Sequence, residues 1–143
     1  MIEKTFFMIK PDAVGKNLIG AILQRIENAG LKIIAGKLIL MQKIQAEKLY
    51  AEHKAKEFYQ GLVDFALSGP AFVAVIEGEN AVAKVREVNG ATNPKKAVPG
   101  TIRYDFALGS ELPANAVHGS DSAKSAEREI LIFFKESEIL TVK

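Results

Sequence analysis

The first apolar block, Thr5 to Ile9, is short and aromatic, and Pro11 stops it, so it predicts a buried strand. The period then changes. Leu18, Ile22, Ile26 and Ala29 recur every three or four residues, which gathers them on one helix face. Asn17 is placed to cap that helix and Gly30 to end it in a left-handed turn. Leu31 to Met41 is rich in Ile and Leu and predicts a second strand, with Gly36 as the point for a bulge or kink. Short helices are expected at about 45–53 and 58–67, the second with Phe58, Leu62 and Phe65 on one face. Ser68-Gly69-Pro70 breaks the chain before a third strand, Ala71 to Ile76. Asn80 can cap a helix built on Val82, Val85 and Val88 and closed by Gly90.

Residues 91–117 carry no long periodicity and contain Pro94, Pro99, Gly100, Gly109 and Pro113, so they read as a long loop of the kind that usually serves function. A short strand near 116–119 and a helix from about 122 to 133 complete the pattern, with Ala123, Ala126, Ile130 and Phe133 facing inward. Strands mixed with helices imply an α/β sandwich; periodicity leaves strand order open.

Composition narrows the class. With 143 residues, the chain is expected to form one domain over 1–143. The lack of cysteine excludes a disulfide scaffold, a thiolate zinc site and a thiol nucleophile. No apolar run approaches the roughly 18 residues that span a membrane, and the opening MIEKTFF lacks the features of a signal peptide, so a cytoplasmic protein is expected. The 19 Lys and Arg against 17 Asp and Glu are too balanced to imply nucleic-acid binding. Lys84, Arg86, Lys95, Lys96 and Arg103 nevertheless cluster with one acid, Glu87, which fits either a solvated surface or an anion site.

Only two histidines are present. His53 lies in a polar helical stretch, AEHKAKE, and is expected at the surface. His118 lies in Val117-His118-Gly119-Ser120-Asp121-Ser122, just before a helix. Gly119 allows close backbone approach, and Ser120, Asp121 or Ser122 can cap the helix, whose start favours anions. A serine–histidine–aspartate triad packed into four consecutive residues is the wrong geometry for a hydrolase, and no G-x-S-x-G is present. No P-loop or G-x-G-x-x-G exists either, so any nucleotide must be held by another device. Lysine, arginine and hydroxyl donors around one histidine suit phosphoryl transfer, where the protein mostly positions and neutralises charge.

Five segments then become specific together: Ile9-Lys10-Pro11-Asp12-Ala13-Val14, Ser68-Gly69-Pro70, Gly90-Ala91-Thr92-Asn93-Pro94, Pro99-Gly100-Thr101-Ile102-Arg103 and His118-Gly119-Ser120-Asp121-Ser122. Their order and coverage of nearly the whole chain resemble nucleoside diphosphate kinase, in its bacterial form. The resemblance implies a ferredoxin-like βαββαβ core, an α/β sandwich whose four-stranded antiparallel sheet is covered by helices. It implies ping-pong transfer of a γ-phosphate through a phosphohistidine on His118, with low base selectivity. Glu129 matches the residue that orients the histidine, and Ser120 is expected close to it. Lys10, Tyr50, Arg86, Thr92, Arg103 and Asn115 match phosphate- and sugar-holding positions, Phe58 matches the aromatic on which the base stacks, and Leu112 is its expected opposing jaw. Mg²⁺ is expected to arrive with the nucleotide rather than in a protein cage. A homo-oligomer is implied, tetramer favoured over hexamer. Glu57 stands where the family commonly has proline, and Tyr104 where it commonly has a small residue. A nucleic-acid-binding module on the same fold and a silent oligomeric scaffold are the competing classes.

Overall fold

The computed structural model describes residues 1–143. Its centre is a strand whose second half, Thr5 to Ile9, neither face exposes to water. In β1, Ile2–Ile9, the side chains of Phe6 and Met8 enter one core while Phe7 and Ile9 enter the other. Period-two alternation sends successive residues to opposite faces, so an unbroken apolar run is what a strand covered on both sides requires. Beside β1 lies β3, Ala71–Glu79, and beyond it β2, Lys32–Ile39; on the other side of β1 sits the short β4, Val117–Gly119. The sheet order is β2-β3-β1-β4, and every pairing is antiparallel.

One face is covered by α1, Pro11–Gly15, α2, Ile19–Asn28, and α5, Ala81–Asn89, through Ala13, Ile22, Ile26, Ala81 and Val85. The other is covered by α3, Lys43–Leu49, α4, Tyr59–Ala66, and α7, Ala123–Phe133, through Ala46, Leu49, Val63, Ile130 and Phe133. The expected α/β sandwich with a four-stranded antiparallel sheet is therefore present. No helix is long and apolar enough to cross a membrane.

Several local expectations are corrected. Neither Asn17 nor Asn80 caps a helix through its side chain: both adopt left-handed backbone, with φ of 60° and 50°. Asn80 holds the N-cap position of α5 with its carbonyl alone, which accepts from Lys84 N at 3.0 Å, while Leu18 holds that of α2. Near Asn80 the work passes to Glu3, whose Oε1 accepts from Val82 N at 3.2 Å. Gly36 is not the bulge, since the register irregularity falls between Ile33 and Ala35. A Cβ on Gly36 would lie 2.9 Å from the Phe72 ring, so glycine there permits close packing. Residues 91–117 are not a bare loop: they contain a 3₁₀ turn, Pro94–Lys96, and α6, Ile102–Ala107, whose N-cap Thr101 accepts from Tyr104 N. Ala123 is exposed, and the inner face of α7 is Ser125, Ala126, Glu129, Ile130 and Phe133. Phe58 precedes α4 and is 54% exposed rather than packed in the core.

The sheet's purpose for the site is adjacency. His118 pairs with Met8 across β1 and β4, and Lys10, the residue after β1, donates its backbone N–H to Ala116 O at 2.8 Å. Two chemistry-bearing residues 108 positions apart in sequence are thereby fixed at one end of the sheet.

Candidate active site

The strand-to-helix turn that carries His118 is built by its serines. Ser122 caps α7 by accepting from Ser125 N at 3.0 Å, which leaves Ser120 free for another partner. Ser120 Oγ donates to Glu129 Oε1 at 2.8 Å, and the same oxygen lies 2.8 Å from His118 Nε2. A carboxylate only accepts, so in the neutral imidazole Nε2 carries the hydrogen and Nδ1 keeps its lone pair. Glu129 sits two turns into α7 and is 2% exposed, so this carboxylate is fixed from below by its helix. The imidazole also meets the Phe6 ring at 5.8 Å and the edge of Tyr50 at 6.3 Å. Gly119 permits close packing: a Cβ there would lie 3.0 Å from both Val85 and Asn89, and the residue also lines the cleft in front of the histidine.

In front of His118 lies a cleft of about 480 Å³ lined by Lys10, Tyr50, Phe58, Arg86, Thr92, Arg103, Asn115 and Glu129 among others. Residues drawn from six stretches of chain converge there. Lys10, 6% exposed, donates to Asn115 Oδ1 at 2.8 Å and to Pro113 O at 3.3 Å. Burial, with the Arg103 charge adding to it, pulls its pKa down to about 7, against a smaller opposing pull from Asp12. Asn115 passes the network on, donating through Nδ2 to Thr92 O at 2.8 Å.

Arg103 is held by three carbonyls: Nε donates to Asn115 O, Nη1 to Gly90 O and Nη2 to Val117 O, at 3.3, 2.8 and 2.7 Å. A guanidinium has five N–H donors, so two remain for a ligand. Burial and the nearby Arg86 lower its pKa to about 10, still cationic at neutral pH. Arg86 itself reaches Gly119 O at 3.4 Å. Burial and the Glu129 charge push the Tyr50 phenol up, so it stays a neutral donor. Such a site, with cations and donors aimed at one imidazole, fits an anion with several equatorial oxygens.

A second cavity, about 510 Å³, opens from the first and shares Lys10, Phe58, Leu62, Thr92 and Asn115 with it. Phe58 and Leu112, 54% and 52% exposed, flank it, with Glu57 at the rim. Apolar faces such as those of Phe58 and Leu112 suit a ring that stacks.

Sequence reading missed three cleft residues. His53, expected at the surface, lines the main cleft with its ring 5.4 Å from Phe58 and its Nδ1 3.1 Å from Lys56 Nζ. Only the turn between α3 and α4 brings it there, and no local pattern signals that. Asn89, at the end of α5, is buried, lines the cleft and has its Oδ1 without a partner. Asp121 lines the cleft as well; its carboxyl is held below its usual range, first by the Ser125 hydroxyl and also by the Arg86 charge. A buried polar residue at a helix end was the one available signal for Asn89.

No group of three or more His, Asp or Glu side chains converges as a metal cage. Lys10, Arg86 and Arg103 line the cleft as its basic side chains, with the carboxylates of Glu52, Asp121 and Glu129 on the same lining. That donor set fits a magnesium ion brought in on phosphate oxygens and keeping its waters.

The model of the family described as "Nucleoside diphosphate kinase" matches residues 3–139. A nucleoside diphosphate kinase of Nitrosococcus oceani is 56% identical, over 97% of this chain and 96% of that protein. One from Coxiella burnetii is 57% identical, over 96% of this chain and 98% of that protein. Among solved structures, the Borrelia burgdorferi nucleoside-diphosphate kinase, a transition-state mimic with bound vanadate and ADP, superposes with a TM-score of 0.94. It is 36% identical and covers 99% of this chain and 92% of that one. A halophilic nucleoside diphosphate kinase from Halobacterium salinarum in complex with CDP also has a TM-score of 0.94, at 44% identity over 100% of this chain and 94% of that one.

Proposed function

The chain belongs to the nucleoside diphosphate kinase family, and we propose from that premise that His118 carries the phosphoryl group between its two substrates. The enzyme transfers the γ-phosphate of a nucleoside triphosphate to a nucleoside diphosphate. The observation that carries the proposal is the hydrogen bond from His118 Nε2 to Glu129 Oε1, because it leaves Nδ1 as the nucleophilic nitrogen.

In the first half-reaction Nδ1 attacks the γ-phosphorus. A P–N bond forms as the bond from phosphorus to the bridging oxygen breaks, and the nucleoside diphosphate leaves with that electron pair. Glu129, braced by Ser120, stabilises the positive charge that grows on the ring. The second half-reaction runs the same steps backward with a different diphosphate.

Lys10, Arg86 and Arg103 neutralise the phosphates, Tyr50, Thr92 and Asn115 hold oxygens and the sugar, and Phe58 and Leu112 clasp the base. Stacking reads a π-face that every base has, which accounts for low base selectivity. Magnesium enters as part of the triphosphate substrate and withdraws charge from its oxygens.

We place one such catalytic domain over 1–143 in the cytoplasm as a homo-oligomer, a tetramer rather than a hexamer. Supporting assembly, β2 is an edge strand and Leu38 and Leu40 at its end are exposed. Sedimentation at micromolar concentration tests the tetramer. Initial-rate kinetics test the mechanism: double-reciprocal plots for ATP at several diphosphate concentrations should be parallel. Intersecting lines would mean direct transfer in a ternary complex and would reject a phosphohistidine route.

A further inference from the structure

The His118–Glu129 pair has an anchor outside the cleft. Glu129 is buried, and its Oε1 accepts from both His118 and Ser120. The polar partner of Oε2 is Arg128, whose Nη2 lies 3.4 Å away. A buried carboxylate shut off from water needs compensation at both oxygens, or it turns toward whichever donor remains. The same guanidinium donates from Nη1 to Lys48 O at 2.7 Å and from Nη2 to Glu52 Oε1 at 2.8 Å. Lys48 lies in the last turn of α3 and Glu52 in the 3₁₀ turn Ala51–His53 that follows. Between them stands Tyr50, whose ring edge meets His118.

We propose that Arg128 is a positioning residue for phosphoryl transfer: it orients Glu129 from behind and ties the cleft wall that bears Tyr50 and His53 to the histidine. The proposal rests on His118 being the phosphoacceptor. Arg128 reaches no substrate, since it does not line the cleft. An exposed ion pair with Glu52 contributes little to stability by itself. The weight of the arrangement therefore falls on the contact with Glu129 and on the Lys48 carbonyl. A guanidinium suits this because its planar fork fixes several acceptors at once, which an ammonium cannot do.

A double-mutant cycle on the full chain tests it. The readout is the single-turnover rate at which saturating γ-labelled ATP labels His118, in wild type, Arg128→Ala, Glu129→Gln and the double variant. Arg128→Ala should slow labelling roughly tenfold, the effect of a misaligned reacting group. The double variant should be no slower than Glu129→Gln alone. Arg128→Lys folds with the charge kept and the fork lost; it should fall between wild type and Arg128→Ala, and its deficit should also vanish beside Glu129→Gln. Labelling of both Arg128 variants at the wild-type rate overturns the proposal. So does a deficit that multiplies in full onto Glu129→Gln, because that is what a merely structural residue gives. Wild-type enzyme that transfers phosphate without labelling His118 overturns the phosphoacceptor assignment itself, a distinct result.

Discussion

The two ends of the cleft are built on opposite principles. At the end proposed for the phosphates, Lys10, Arg103 and Asn115 are buried and held by hydrogen bonds to the backbone or to one another, and buried Glu129 is held by the side chains of Ser120 and His118. At the base end, Phe58 and Leu112 stand half exposed, and of its polar side chains Glu57 lies at the rim. Phosphoryl transfer needs charges fixed in a dry site before the reaction begins, so each cation there is locked at its fold position. Base stacking needs only a slot of the right width. The difference teaches that one end couples chemistry to folding while the other does not.

Substitutions can break that contrast, and the largest effect is expected at the proposed phosphoacceptor. His118→Ala should lower phosphate transfer by more than about 10⁴-fold, because it removes the side chain proposed as the covalent carrier. Thermal melts should change little, since the ring is a side branch of the cleft; coupled assays and melting curves check both halves. Next comes Arg103→Ala, expected to lose roughly 10²-fold in transfer rate with the loss of transition-state charge stabilisation. It should also lose stability, because three carbonyls forfeit their donor. At about 1 kcal/mol for each, the melting temperature should drop by several degrees. An Arg103→Ala protein with wild-type stability would uncouple chemistry from fold at this end.

A pH titration sharpens the contrast further. With its pKa lowered to about 7, Lys10 is largely neutral above that pH in the free enzyme, while bound phosphate favours its charged form. Nucleotide binding should then take up a proton, and ADP affinity should fall by up to about tenfold per pH unit above neutrality. Folding responds with the opposite sign. Between about pH 7 and the unfolded lysine value near 10.4, the unfolded chain holds the extra proton, so stability rises with pH across that window. Calorimetric ADP binding and thermal melts between about pH 6.5 and 9 check both slopes, and Lys10→Gln should flatten them.

The smallest effect is expected at the base end. Phe58→Ala should raise KM for every diphosphate by about tenfold, near 1.4 kcal/mol of lost stacking, with kcat and melting temperature nearly unchanged. A large fall in kcat there would mean that the base end also aligns the reacting phosphate.

What was legible in the sequence follows the same divide between local and distant causes. The apolar run Phe6 to Ile9 that closes β1, the Gly30 terminator at φ 82° and the serine cap before α7 are set by neighbours in the chain, and they were readable. Asn80 was not, because the group that satisfies the start of α5 is Glu3, on another strand. Helix α6 was hidden because six residues are too few to establish a period. The chemistry stood out less by periodicity than by the joint order of five motifs, which named Lys10, Arg103 and His118 but gave no hint of His53, Asn89 or Arg128. Those three depend on where α3, α5 and α7 come to rest against one another.

The most direct test of the account is a labelling and chase experiment. Enzyme incubated with γ-labelled ATP and magnesium should acquire an acid-labile label on His118, and unlabelled GDP should then discharge it as labelled GTP at a catalytically competent rate. Transfer of label from ATP to GTP with none ever found on His118, or on a time scale that leaves His118 behind turnover, would contradict it.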